Sequence, residues 1–144
     1  MTRSGPNLEE IRTLAKRLRG RILQTPVIRC PAIEAQLGNG TRVHAKLEFL
    51  QHTGTFKARG ALATVSGLDA DELQRGVTAV SAGNHAIATA FAAQALGTTA
   101  KVVMISSANQ SRVRACETYG AELVFEDDIH KAFDVARSIQ EEEG

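Results

Sequence analysis

Lys57 stands in the run Thr53-Gly54-Thr55-Phe56-Lys57-Ala58-Arg59-Gly60, and further along comes Ser81-Ala82-Gly83-Asn84-His85-Ala86. A lysine at the mouth of a helix lies beside the positive end of the helix dipole, which disfavours its ammonium form and frees a nucleophilic amine. Gly54 and Gly60 let the backbone turn tightly and approach a ligand closely, and Phe56 offers a flat apolar wall. The second run falls between a strand and a helix, where open α/β sheets bind ligands. Its small residues expose backbone N–H groups, and the dipole of the following helix favours an anion there. A substrate carboxylate or a phosphate suits such a turn, with Asn84 adding a side-chain donor and acceptor and Ser81 a hydroxyl. Neither a G-x-G-x-x-G run nor a phosphate-loop lysine is present, which argues against a dinucleotide or a nucleoside triphosphate. Together the motifs read as amine chemistry on a small carboxylate. Singly, each has a plainer reading: a surface lysine at a helix start, and a strand-to-helix turn that Asn84 merely caps.

The elements that must position these residues follow from periodicity. A first helix is predicted over residues 7–18, capped by Asn7, with Leu8, Ile11, Leu14 and Leu18 as its apolar stripe. Thr25 precedes Pro26 and is therefore extended. A short helix over 32–37 ends at Gly38-Asn39-Gly40, and Val43, Ala45 and Leu47 alternate with polar residues as a half-buried strand. A loop over 51–55 leads into a helix starting near Lys57. From Gly76 onward, strands over 77–80, 101–105 and 122–125 alternate with helices over 86–96, 111–119 and 128–142. In the last helix, Ile129, Ala132, Phe133, Ala136 and Ile139 are expected to form the buried face. That alternation predicts an α/β fold, a parallel sheet with flanking helices.

Composition narrows the function. The 144 residues suffice for one core, 43% of them are hydrophobic, and no apolar run approaches a membrane span. The net charge of +1 comes from mixed signs along the chain, which favours neither nucleic acid nor a membrane surface as partner. Cys30 and Cys116 make a poor disulfide framework, and the first six residues lack a secretory apolar stretch, so a cytoplasmic protein with reduced thiols is expected. His44, His52 and His130 read as surface or loop residues, and no spacing supports a metal site.

With these motifs in view, the chain resembles the fold-type II pyridoxal-phosphate enzymes, the tryptophan-synthase-β superfamily, and within it the threonine/serine dehydratases and serine racemases. The resemblance is carried by Thr25-Pro26, Ala45-Lys46-Leu47-Glu48, the run from Gln51 to Ala61, Ser81-Ala82-Gly83-Asn84-His85-Ala86 and Tyr119-Gly120-Ala121-Glu122, in the family's order over nearly the whole chain. It implies pyridoxal 5'-phosphate as cofactor, bound covalently by Lys57, which then serves as the base at the substrate Cα. It implies that Phe56 lies against the cofactor ring and that Asn84 hydrogen-bonds its phenolic oxygen. Ser81, Ala82, Gly83, Asn84 and His85 would receive the substrate carboxylate, His85 as a hydrogen-bonding member of the loop.

The resemblance further implies two units. Residues 1–75 correspond to the N-terminal segment of the large domain, with the Schiff-base lysine, and residues 76–144 to a small α/β domain of βαβαβα order. It implies L-threonine or L-serine as substrate, a 2-oxo acid and ammonia as products, and a homo-oligomer when full length. Where the racemases carry a second serine that protonates the opposite face of Cα, this chain has Ala82, so elimination is expected rather than racemisation. Ile87 replaces a glutamine of many dehydratases, and Met104-Ile105-Ser106-Ser107 replaces a stretch where proline is usual. The family's glycine-rich phosphate loop, and its serine or cysteine facing the pyridine nitrogen, correspond to positions beyond Gly144. The N-terminal segment packs on that further part of the chain in the family. The expected function is thus a dehydratase (ammonia-lyase), with the chain as its N-terminal portion. The alternative is an inactive truncated product, or a carboxylate-binding or interaction module without cofactor.

Overall fold

Asn7 and Glu10 close a reciprocal capping box that starts α1 (Leu8–Arg17) where the sequence predicts a helix. The structure, a computed structural model, describes residues 5–144; the part of the N-terminal reading that rests on residues 1–4 lies outside it. The apolar stripe of α1 is shorter than expected. Leu8 and Ile11 are exposed, and the chain reaches the core only at half-buried Leu14 and at Leu18 beyond the helix end.

A two-stranded antiparallel ribbon follows, β1 (Val27–Arg29) against β2 (His44–Lys46), with α2 (Pro31–Leu37) between them. Pro31 at the first helical position needs no N–H partner, and Gly38 ends α2 in the left-handed region. The expected strand over 43–47 is thus trimmed to three residues. Two short 3-10 turns, Glu48–Leu50 and His52–Gly54, occupy the predicted loop and its approach. They deliver the chain to α3 (Lys57–Val65), whose first residue is the lysine. Next comes α4 (Ala70–Arg75), which periodicity does not predict; its capping box pairs Asp69 with Glu72.

The parallel sheet is as expected in its strands and their direction. Its strands β3 (Val77–Val80), β4 (Ala100–Ile105) and β5 (Glu122–Glu126) lie side by side in that sequence, with β4 central. The connecting helices are α5 (Asn84–Leu96) and α6 (Gln110–Thr118), and α7 (Ile129–Glu143) follows β5. Four hydrophobic residues of β4, Ala100, Val102, Val103 and Met104, are buried, as a central strand covered on both faces requires.

The alanine-rich α5 is the pivot of the core. Ala86 and Ala90 join Val102, Met104, Val113 and Cys116 in one cluster, whereas Ala88 and Ala92 join Leu18, Ala61, Leu62 and Val65 in another. A helix apolar all round must be enclosed, and small side chains let α3 and the sheet approach it closely. A third cluster sets Ala132 and Ala136 of α7 on Val103. Here the expected face needs correction. Ile129 and Phe133 are 47% and 52% exposed; the packed face is Ala132, Val135, Ala136 and Ile139. The alanines sit where helix meets sheet, and the bulkier side chains fall to the flank.

Candidate active site

Lys57 is the first helical residue of α3, and its backbone N–H donates to Thr55 Oγ1 at 3.3 Å. The turn before it is tightly wound. Gly54 has φ +69°, a conformation that glycine adopts without steric penalty. Thr53 has φ +63° with no such exemption, and its buried Oγ1 lacks a hydrogen-bond partner. Gly60 is different: it is an ordinary helical residue, and no atom lies within 4 Å of where its Cβ would stand. It therefore supplies open space one turn from Lys57 rather than a bend.

That space belongs to a cleft of about 660 Å³ bounded by α3, α4, β3, α5 and the end of α7. Lys57, Gly60, Ala61 and Thr64 form one wall; Thr78, Ala79, His85 and Thr89 face it from β3 and α5. The structure thus brings Lys57 and His85 to one cavity. Ser81, Ala82, Gly83, Asn84 and Phe56 are not among its lining residues. Phe56 is 60% exposed, and the Lys57 Nζ lies 5.3 Å from its ring centroid.

The 81–85 turn opens α5 without a side-chain cap. Gly83 is the N-cap of α5 and no side chain caps the helix, so the first-turn N–H groups of a 13-residue helix are left for a ligand. Asn84 is the first helical residue and does not cap α5. The peptide between Ala82 and Gly83 is held at both ends. Its N–H donates to Ser81 Oγ at 3.2 Å, and its carbonyl accepts from Arg112 Nη1 at 3.3 Å. Accepting that bond leaves the Ser81 hydroxyl proton free to donate. Asn84 and His85 are exposed, and Ser81, Ala82 and Gly83 are half-buried. Thr89 Oγ1 bonds the His85 carbonyl at 3.0 Å, securing the first turn of α5.

Several residues escaped the sequence reading. Arg112 reaches Ala82 from α6, thirty positions away, and no local pattern announces such a contact. Thr78 Oγ1, buried on the cleft wall, has no partner. His52 is not a plain loop residue: its ring stacks on Phe91 of α5 at 5.0 Å, and Phe91 meets Tyr119 edge-on at 5.5 Å. Glu48, beside the lysine turn, has its carboxyl pulled down to about 2, chiefly by the Arg59 guanidinium it accepts from.

The residues present fit the reactive end of an aldehyde cofactor. A primary amine, Lys57, stands on the cleft wall, and open space lies beside Gly60. Among the described residues no glycine-rich run is present to hold a phosphate.

Comparison with known proteins agrees. A family profile described as "Pyridoxal-phosphate dependent enzyme" matches residues 18–144. Phenylserine dehydratase of Ralstonia pickettii is 48% identical over 139 residues, 96% of this chain and 42% of that protein. L-threonine ammonia-lyase of Thermotoga maritima is 36% identical over 138 residues, 95% of this chain and 34% of that one. Among solved structures, maize serine racemase superposes with a TM-score of 0.90 at 32% identity, covering 98% of this chain and 43% of that chain. The chain therefore spans less than half the length of each of these relatives.

Proposed function

The chain belongs to the pyridoxal-phosphate dependent enzyme family, and on that premise we propose that it forms part of a dehydratase (ammonia-lyase) acting on β-hydroxy α-amino acids, L-threonine or L-serine first among them. Relatives within the family include both ammonia-lyases and racemases. The observation that favours elimination is Ala82. In the middle of the anion turn it presents a methyl group, half-buried against the Ala86–Met104 cluster, where a racemase needs a hydroxyl that can return a proton.

On this reading Lys57 binds pyridoxal 5'-phosphate, Phe56 backs the ring and Asn84 hydrogen-bonds the phenolic oxygen. The cofactor, when bound, supplies an electron sink for the Cα carbanion. The chain's own residues do the rest. The N–H groups at the start of α5, with the Ser81 hydroxyl and His85, hold the substrate carboxylate. Arg112 and Ser81 keep the 82–83 peptide oriented. Lys57 Nζ takes the Cα proton, the β-hydroxyl leaves as water, and hydrolysis of the product yields a 2-oxo acid and ammonia. Residues 1–75 then belong to a larger domain, packing on further chain through exposed Val27, Ile33 and Phe49, and residues 76–144 form the small α/β domain. The whole enzyme is read as a cytoplasmic homo-oligomer acting on a small amino acid.

Incubating the enzyme and cofactor with L-threonine, L-serine or L-threo-phenylserine tests this. Ammonia and 2-oxo acid are expected in equal amounts, with unreacted substrate remaining L. Accumulation of the Cα-inverted amino acid (D-serine from L-serine, D-allo-threonine from L-threonine) ahead of 2-oxo acid would overturn elimination in favour of inversion at Cα. A colourless, inert protein would point to the carboxylate-binding module instead.

A further inference from the structure

The first turn of α3 holds two cations, Lys57 and Arg59, and no acid, although both lie at the positive end of the helix dipole. Two unfavourable charges side by side ask for a reason. A helix advances about 100° per residue, so side chains two apart leave the axis on roughly opposite faces. Lys57 lies on the cleft, and Ala58 between them is wholly buried.

Arg59 enters a clamp on the far side. Its Nε donates to Glu48 Oε2 at 2.8 Å and its Nη2 to Glu48 Oε1 at 2.8 Å, a two-pronged pairing. The same Nη2 reaches the Leu23 carbonyl at 3.2 Å. The Thr25 hydroxyl donates to Glu48 Oε1 at 2.5 Å, and Lys46 Nζ to the Thr25 carbonyl at 3.0 Å. Buried Gln51 brackets Leu23 from both sides: its Nε2 donates to the Leu23 carbonyl at 2.9 Å, and its Oε1 accepts from the Leu23 N–H at 3.0 Å. Two segments distant in sequence, 23–25 and 46–51, thus meet at one guanidinium.

We propose that Arg59 is the positioning residue of Lys57: gripped by Glu48 on the opposite face, it fixes the rotation of the first turn of α3 and so holds the amine at the cleft. The proposal rests on the reading of Lys57 as the reactive amine. Near the side-chain radius of ~6 Å, a rotation of ~10° displaces a group by ~1 Å. A displacement of that size is enough to cost on the order of 100-fold in a reaction that depends on aim.

The test traps pyridoxal 5'-phosphate on the protein with borohydride and measures by peptide mass spectrometry how much each lysine carries. Lys16 and Lys131, away from the clamp, are internal references. The wild type is expected to label Lys57 at least about tenfold over them, and R59K and E48Q to reduce that ratio by about tenfold. R59K keeps the charge and loses the fork, whereas E48Q keeps the shape and loses the charge. A purely structural clamp lowers the unfolding temperature and leaves the ratio alone; E34Q, which breaks the separate Arg29–Glu34 pair, calibrates that case. A ratio unchanged in both clamp variants, with Lys57 still preferred in the wild type, would overturn the positioning role alone. A wild type that does not prefer Lys57 would overturn the assignment of the amine and this role with it.

Discussion

Glu48 carries the most perturbed carboxylate of the site, and its titration can be read as stability. The Arg59 guanidinium and the Thr25 hydroxyl hold its carboxyl near 2 in the folded chain, against an ordinary 4.5. A depressed folded value means that the stabilisation is fully present above the unfolded value of 4.5 and is lost as pH falls through about 2. E48Q is therefore expected to cost about 1–3 kcal/mol at pH 7, because the half-buried Arg59 loses its charged partner. Urea unfolding of both proteins at pH 7, 4 and 2 checks the sign: the gap should narrow towards pH 2. A gap of constant size would show that the carboxylate charge contributes nothing. At this scale the sequence was informative about Lys57 and the 81–85 turn, because both are local patterns. It was silent on the partners of Arg59, 11 and 36 positions away, and of Arg112, 30 positions away.

The seam between α3 and α5 ties the lysine to the anion turn. Leu62, wholly buried, fills it against Ala88 and Ala92. Leu62→Ala should cost about 2–5 kcal/mol, since the small alanines opposite cannot close the gap. Thermal or urea unfolding measures it, and a loss below about 1 kcal/mol would show that the seam repacks freely. The strands and long helices were legible because alternation and turn residues mark them. The six-residue α4 was not, having little apolar periodicity; the Asp69-Ala70-Asp71-Glu72 capping pattern was its available signal. The buried face of α7 was misread for a related reason. Its apolar residues spread over more than one face, and contact with β4 selects the small Ala132 and Ala136 over Phe133.

Seen whole, the molecule sets Lys57 at the start of α3 and the 81–85 turn at the start of α5, across the seam that the two helices close. The two motifs were legible as local patterns; the cleft was not, since its walls come from five elements. Phe49, Val27 and Ile33, large apolar residues among the first sixty, are exposed. The central claim is that Lys57 is the amine that holds the cofactor. Its most direct test is to add pyridoxal 5'-phosphate to the enzyme containing this chain and to its Lys57→Ala variant, recording the visible absorbance of lysine-bound cofactor and the 2-oxo acid formed from L-threonine. The account predicts both signals in the wild type and neither in the variant. A Lys57→Ala protein that keeps the band and still produces 2-oxo acid would contradict it.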